Sequence, residues 1–285
     1  MKIALFGKTG QVATEIQRRA PKGVILEAIG RNRADFASPA MVKDSALSFD
    51  ADVIVNAVAY TAVDKAEGDA ELANLVNNLS VAALAQAAAK RAIPLIHIST
   101  DYVFDGSDEV PRTPDAPTGP LGVYGSTKLA GEQAILAENT LSVILRTSWV
   151  FSAHGSNFVK TMLRLGLERD QLSIVADQVG GPTSAAAIAD AVFAIAAQLG
   201  KDSQTGVYHF SGAPDASWAF FAREIFRLAK LDVSVKEILT SDYPTPAKRP
   251  LNSRLNCESL ARDFGIARPD WRNDLTTVLE ELGAI

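Results

Sequence analysis

Five short apolar runs limit what this chain can fold into: "KIALF" at 2–6, "VILEAI" at 24–29, "DVIVNAVA" at 52–59, "PLIHIS" at 94–99 and "LSVILRTS" at 141–148. Each is nearly continuous in apolar character, so each reads as a strand covered on both faces. Segments with helical spacing separate them: 11–20, 39–49 with Ser38 as N-cap and Pro39 at the first helical position, the long stretch 69–92, and a helix opened by Tyr124. Strands alternating with helices in this way form a parallel sheet with helices on both faces, the doubly wound α/β arrangement. Ligands bind such sheets beyond the carboxyl ends of the strands. The residues that follow each run are therefore where chemistry is expected.

Past Phe151 the pattern loosens. Residues 157–169, 184–199, 218–230 and 273–282 read as helices, "GVYHFS" at 206–211 as a short strand, and the proline-rich 241–256 as a loop. The expected organisation is a dinucleotide-binding domain over 1–150. A smaller substrate lobe follows over 151–285, partly interwoven with the first.

Charge and cysteine use remove several function classes. The formal net charge is -5, with no lysine/arginine block of the kind that binds nucleic acid. No apolar run approaches a membrane span, and the N-terminal "MKIALFGKTG" breaks too early for a signal peptide. Cys257 is the single cysteine, which rules out an internal disulfide and a cysteine zinc cluster. His97, His154 and His209 are too far apart in sequence for a metal-ligand motif. A cytoplasmic protein is expected.

Three motifs follow strands. In "GKTGQVA", Gly7 supplies the turn, Gly10 lets backbone approach a pyrophosphate, and the small Ala13 lets helix pack on strand. The helix N-terminus then offers free N–H groups to the anion. The second strand ends in "GRNR", where an NAD site would place an acidic residue on the ribose. Arg31 instead suits a 2′-phosphate, which points to NADPH, while Asp35 leaves NADH open. In "HISTDYVFDG", a buried strand runs into Ser99, Thr100 and Asp101, suited to a strand-end turn or to a ligand. In "VYGSTKLAGE", Tyr124 and Lys128 stand at i and i+4 on one helical face. A phenol with a pKa near 10 is a poor acid/base at neutral pH, and a neighbouring ammonium is expected to lower it.

The order of these motifs resembles the extended short-chain dehydrogenase/reductase superfamily, whose catalytic threonine, tyrosine and lysine match Thr100, Tyr124 and Lys128. Longer stretches are similar to the dTDP-4-dehydrorhamnose reductase family over nearly the whole chain. These are "LFGKTGQV", "VDKAE", "STDYVFDG", "LRTSWVF", "NFVKTMLRL", "DQVGGPTSA" and "YPTPAKRPLNSRLN". The resemblance implies a Rossmann-like fold and hydride transfer from a nicotinamide to the C4 keto carbon of dTDP-6-deoxy-L-lyxo-4-hexulose. It implies Tyr124 as proton donor, Thr100 on the same oxygen, and Lys128 tuning Tyr124 and holding the ribose. It places Gly10, Gln11 and Val12 at the pyrophosphate, Asp35 and Phe36 near the adenine, and Ala59, Tyr60 and Thr61 along the nicotinamide half. It makes Asp101 and Trp149 substrate-facing. Three positions depart from the family pattern: Ala13 for a common glycine, Tyr60 for a common histidine, and Gly30-Arg31 for a common acidic residue. Members can carry Mg2+ at a dimer contact. Glu15 and Asp190 are the carboxylates that resemblance offers, although their spacing does not indicate a metal site. A homodimer is possible on the same ground. A sugar-nucleotide epimerase or dehydratase and a non-catalytic regulatory subunit on this fold remain as alternatives.

Overall fold

The computed structural model describes residues 1–138, 141–200 and 204–285. The apolar runs become strands Lys2–Phe6 (β1), Ile25–Ile29 (β2), Val53–Asn56 (β3), Leu95–Thr100 (β4) and Ser142–Thr147 (β5). In one sheet the order is Gly206–His209, β5, β4, β3, β1, β2. Every pairing in it is parallel. β1 pairs with β2 on one side and with β3 on the other, so the order reverses at β1. Both faces of the sheet are covered along β1 and β3–β5, whereas the edge strand β2, expected to be covered as well, is only partly buried, with Ile25 63% exposed, because no strand pairs with its outer side. Ile3, Leu5, Val55, Leu145, Ile188 and Phe264 fill one face, and Phe6, Ile54, Leu84, Leu95 and Ile144 the other. A separate apolar cluster around Phe151, Phe221, Ile225, Trp271 and Leu275 lies in the second half of the chain.

That second half also returns to the sheet. Gly206–His209 extends it beside β5, and residues of helices Ala185–Ala196 and Glu258–Phe264 join one of its cores. Four helices of the second half start on side-chain caps: Asn157 for Lys160, Ser184 for Ala187, Ser217 for Phe220 and Asp270 for Arg272. Among the strands that escape the sequence reading, Gln171–Val175 and Ser234–Ile238 pair in parallel with each other.

The expected helix over 69–92 is corrected to three pieces. Ala70–Asn74 runs into a π-helical turn, Leu75–Leu79, and Ser80–Arg91 resumes the α-helix. Inside the wide turn the fully buried Asn77 accepts from the Tyr60 N–H at 2.8 Å and donates to Thr127 Oγ1 at 3.1 Å. The turn thus ties the loop after β3 to helix Val123–Ala137. The same helix is tied to the sheet by Arg146 of β5, whose Nη2 lies 2.6 Å from Glu132 Oε2, with side chains 4% and 1% exposed. Ser99 of β4 also donates to Glu132.

Removing one partner of such a pair leaves the other charge buried and unmatched. Arg146→Met is expected to cost about 3–5 kcal/mol in urea unfolding. A loss below about 1 kcal/mol would show that the pair does not hold the helix to the sheet.

Candidate active site

A cleft of about 970 Å³ opens beyond the carboxyl ends of β1, β3 and β4 and is closed from the other side by the second half of the chain. Its floor begins at the glycine turn. Gly7 has φ +116° and donates its N–H to Ile29 O at 3.0 Å. A Cβ there would make only ordinary contacts, 3.4 Å from Ala13 Cβ and the Ala57 backbone, so it is the backbone angle that calls for glycine. Helix Gln11–Arg18 (α1) then starts at Gly10 with no side-chain cap on its N–H groups. A side chain on Gly10 would meet no protein atom within 4 Å, so the helix end faces the open cleft, where an anion fits.

Thr100 and Asp101 follow β4. Thr100 Oγ1 donates to Asp101 Oδ1 at 3.1 Å and accepts from Tyr102 N at 3.2 Å. Asp101 is 2% exposed, and its second oxygen makes no hydrogen bond. Burial pushes this carboxyl up to about 6, with Ser253 and Thr100 pulling back. Tyr124 and Lys128 sit on one face of helix Val123–Ala137, pressed on the strand end where Gly125 passes under the Tyr102 carbonyl with no room for a Cβ. The Tyr102 and Tyr124 rings meet edge to face at 5.5 Å.

The electrostatics correct one expectation. The Tyr124 hydroxyl is not lowered: burial pushes it up to about 12, against the pull of the Thr100 hydroxyl. Burial also brings Lys128 down to about 8. Lys128 Nζ is spent on Ile98 O at 2.7 Å and on His97 Nε2 at 3.1 Å. Desolvation outweighs any charge effect of the lysine on the phenol here.

The cleft brings together Gly10, Gln11, Val12, Ala59, Thr61, Thr100, Asp101, Tyr124, Lys128 and Trp149. Other expected positions lie off its wall. Gly7 is under the turn. Phe36 is 4% exposed and packs edge to face on Phe6. Tyr60 turns its hydroxyl to Asp69 at 3.0 Å. Arg31 projects with its side chain 85% exposed and its Nε 3.6 Å from Asp35 Oδ1. Arg33, by contrast, is committed to Glu27 and to the face of Phe49.

Several cleft residues carry no role in the sequence reading. The Trp149 indole stacks on Trp218 at 3.6 Å and 10°, and Phe158 leans on Trp218 at 4.6 Å. Trp149 holds φ +50°, a left-handed conformation unusual for its type. Phe158 and Trp218 each open a helix directly after its cap, and that position was a usable signal. Arg249 grips Asp64 through two nitrogens at 2.7 and 3.0 Å, joining the proline-rich segment to the short helix Val63–Ala66 after β3. It lies within a family-like stretch, but nothing in its spacing points to that partner.

Glu15, His154 and Glu281 offer ligand atoms within 4.8 Å of one another, away from this cleft. Arg18 already bridges Glu15 and Glu281, and Arg19 holds Asp190. The carboxylates considered for Mg2+ are thus each paired with a guanidinium. Among the described residues no helix is long and apolar enough to cross a membrane.

Asp101 generates a prediction about stability. Its folded pKa, about 6, lies above the unfolded value, so its ionisation weakens the fold as pH rises from about 4 to 6. Asp101→Asn is expected to raise stability by about 3 kcal/mol at pH 8 and to leave it nearly unchanged at pH 4. Urea titrations at the two pH values check this, and equal effects at both would refute the burial argument.

Comparison with known proteins agrees with this geometry. A family model described as RmlD substrate binding domain matches residues 1–284. The dTDP-4-dehydrorhamnose reductase of Sinorhizobium fredii is 46% identical over 278 residues, covering 95% of this chain and 94% of that protein. The Escherichia coli protein of the same name is 43% identical over 293 residues, covering 99% and 98%. Among solved structures, a dTDP-4-dehydrorhamnose reductase from Bacillus anthracis in complex with NADP superimposes with a TM-score of 0.92 at 30% identity. It covers 98% of this chain and 99% of that one. A dTDP-glucose 4,6-dehydratase from Streptomyces venezuelae shares the fold alone, with a TM-score of 0.81 at 16% identity over 98% and 96% of the two chains. The chain belongs to the dTDP-4-dehydrorhamnose reductase family.

Proposed function

We propose that this protein reduces the C4 keto group of dTDP-6-deoxy-L-lyxo-4-hexulose with NADPH, giving dTDP-L-rhamnose. The observation that carries the reading is the assembly of Thr100, Tyr124 and Lys128 in one cleft with the uncapped start of α1. Bound NADPH supplies the hydride. Gly10, Gln11 and Val12 hold its pyrophosphate, and Ala59, Tyr60 and Thr61 lie along its nicotinamide half. Arg31, with Asp35 and Phe36, serves its adenosine end, and the relative solved with NADP supports that cofactor. Gly7 keeps the turn tight enough for these contacts.

Tyr124 gives its proton to the developing alkoxide. A phenol near 12 holds that proton at neutral pH and releases it to a stronger base, which an alkoxide is. Thr100 donates to the same oxygen, where charge grows. Lys128 holds the ribose. Asp101 and Trp149 face the sugar, and the indole offers a flat apolar wall with few rotamers to freeze. The first 150 residues act as the dinucleotide-binding domain and 151–285 as the sugar-nucleotide lobe. The protein works in the cytoplasm, as a homodimer.

A dehydratase reading is disfavoured because Thr100 is followed by Asp101-Tyr102, half of the acidic pair such chemistry uses. A regulatory subunit would not need the three catalytic groups kept together.

Mixing the protein with the 4-keto sugar nucleotide and NADPH is expected to consume NADPH, read as loss of nicotinamide absorbance. No consumption with either reduced nicotinamide cofactor would refute the assignment. Tyr124→Phe is expected to lose most turnover, on the order of 100-fold or more, while binding NADPH almost normally. Arg31→Ala is expected to weaken NADPH far more than NADH in titrations of each cofactor.

A further inference from the structure

Behind the cleft wall lies a buried chain of polar groups that crosses three elements. Asn56 ends β3, His97 lies within β4, and Lys128 comes from helix Val123–Ala137. Asn56 and His97 are fully buried and Lys128 is 1% exposed. The hydrogen bonds can be followed from one end. Asn56 Oδ1 accepts from Val58 N at 3.0 Å, which fixes the way the amide points. Its Nδ2 then faces His97 Nδ1 at 3.0 Å. An amide nitrogen only donates, so Nδ1 is the acceptor, and the neutral ring carries its proton on Nε2. Full burial keeps the ring neutral by pushing its pKa well below the usual value. His97 Nε2 lies 3.1 Å from Lys128 Nζ. An Nε2–H needs an acceptor there. An ammonium has three donors and no acceptor, whereas a neutral amine has a lone pair.

We propose that Asn56 and His97 hold Lys128 as a neutral amine, which makes them positioning residues that set the charge on the lysine of the active site. In that form every bond of the chain is satisfied. Val58 N–H donates to the amide oxygen, the amide donates to Nδ1, Nε2–H donates to Nζ, and Nζ donates to Ile98 O at 2.7 Å. A proton added to Nζ from solvent sets two donors face to face. Relief requires the ring to move its proton from Nε2 to Nδ1 and the Asn56 amide to turn over. Turning it over takes the acceptor away from Val58 N. Charging Lys128 therefore costs one buried hydrogen bond.

Other groups around the lysine do not reverse this. Glu132, one turn further along the helix, favours the ammonium. Its oxygens are already engaged by Arg146 and Ser99. Tyr124 and Asp101 stand at the cleft end, where Asp101 acts on the Tyr124 phenol. β3 contributes only the neutral amide. Within the proposed reductase reading, on which its functional meaning rests, the lysine must gain its charge when cofactor arrives.

The imidazole nitrogens report the state of the chain directly. The protein has three histidines, so 15N-labelled imidazole spectra are simple, and His97→Gln identifies the signal by its loss. With no cofactor added, His97 is expected as the Nε2–H tautomer above about pH 8, where Lys128, brought down to about 8, has given up its proton. An Nδ1–H tautomer or an imidazolium there would overturn the proposal. Asn56→Asp keeps the shape but offers only acceptors. It is expected to move the ring proton to Nδ1, turn Nε2 into an acceptor, and favour the ammonium. The basic limb of the pH–rate profile should then rise by about one unit. A variant with unchanged tautomer also counts against the proposal. The tautomer is read without substrate. A protein that shows Nε2–H yet reduces no sugar nucleotide would refute the function and leave the network standing.

Discussion

The helix that carries Tyr124 and Lys128 is pressed onto the 3-10 turn after β4 and the π turn at 75–79 more closely than ordinary side chains allow. Gly125 and Gly131 leave no room for a Cβ against the Tyr102 and Asn77 carbonyls. The buried Glu132–Arg146 pair then fixes how far along the sheet the helix sits. Lys128 is drawn under the surface by this approach and has to find partners inside. It finds them in a strand carbonyl and an imidazole. Desolvation, rather than a neighbouring charge, then governs both the lysine and the phenol. The same closeness that positions the pair sets its acid–base character.

Much of this was legible from residue order. The continuous apolar runs of β1 and β3–β5 required a sheet covered on both faces, and motifs placed after strands had to gather at one end. Gly10, Thr100, Tyr124, Lys128 and Trp149 do gather there. What stayed hidden depends on partners distant in sequence. The π turn at 75–79 exists around Asn77, whose bonds reach Tyr60 and Thr127, and helical spacing carries no trace of them. The Trp149–Trp218 stack joins residues on two elements whose separate patterns say nothing of contact. The lowered phenol inferred from an i, i+4 cation was wrong for a physical reason. Spacing gives proximity along a helix but not burial, and burial dominates here.

The second half of the chain supplies part of the cleft wall. Trp218, Phe158 and Arg249 line the cleft from that side. Arg249 fastens its proline-rich segment to Asp64 in the first half, and the guanidinium holds that carboxyl below the usual range. The Trp149 indole lies against Trp218, whose Nε1 donates to Gln178. Site shape thus depends on contacts that cross the molecule.

One architectural detail bears on how such a chain can be cut or recombined. The outermost strand beside β5, Gly206–His209, comes from beyond residue 200. A fragment ending near residue 150 would leave β5 with bare amide and carbonyl groups along one side, an invitation to pair with another molecule. It would also lose helix Ala185–Ala196 and expose the apolar face that this helix covers. The first 150 residues are therefore not a transplantable cassette, and gene fusions or deletions that treat them as one would yield aggregates instead of a folded half.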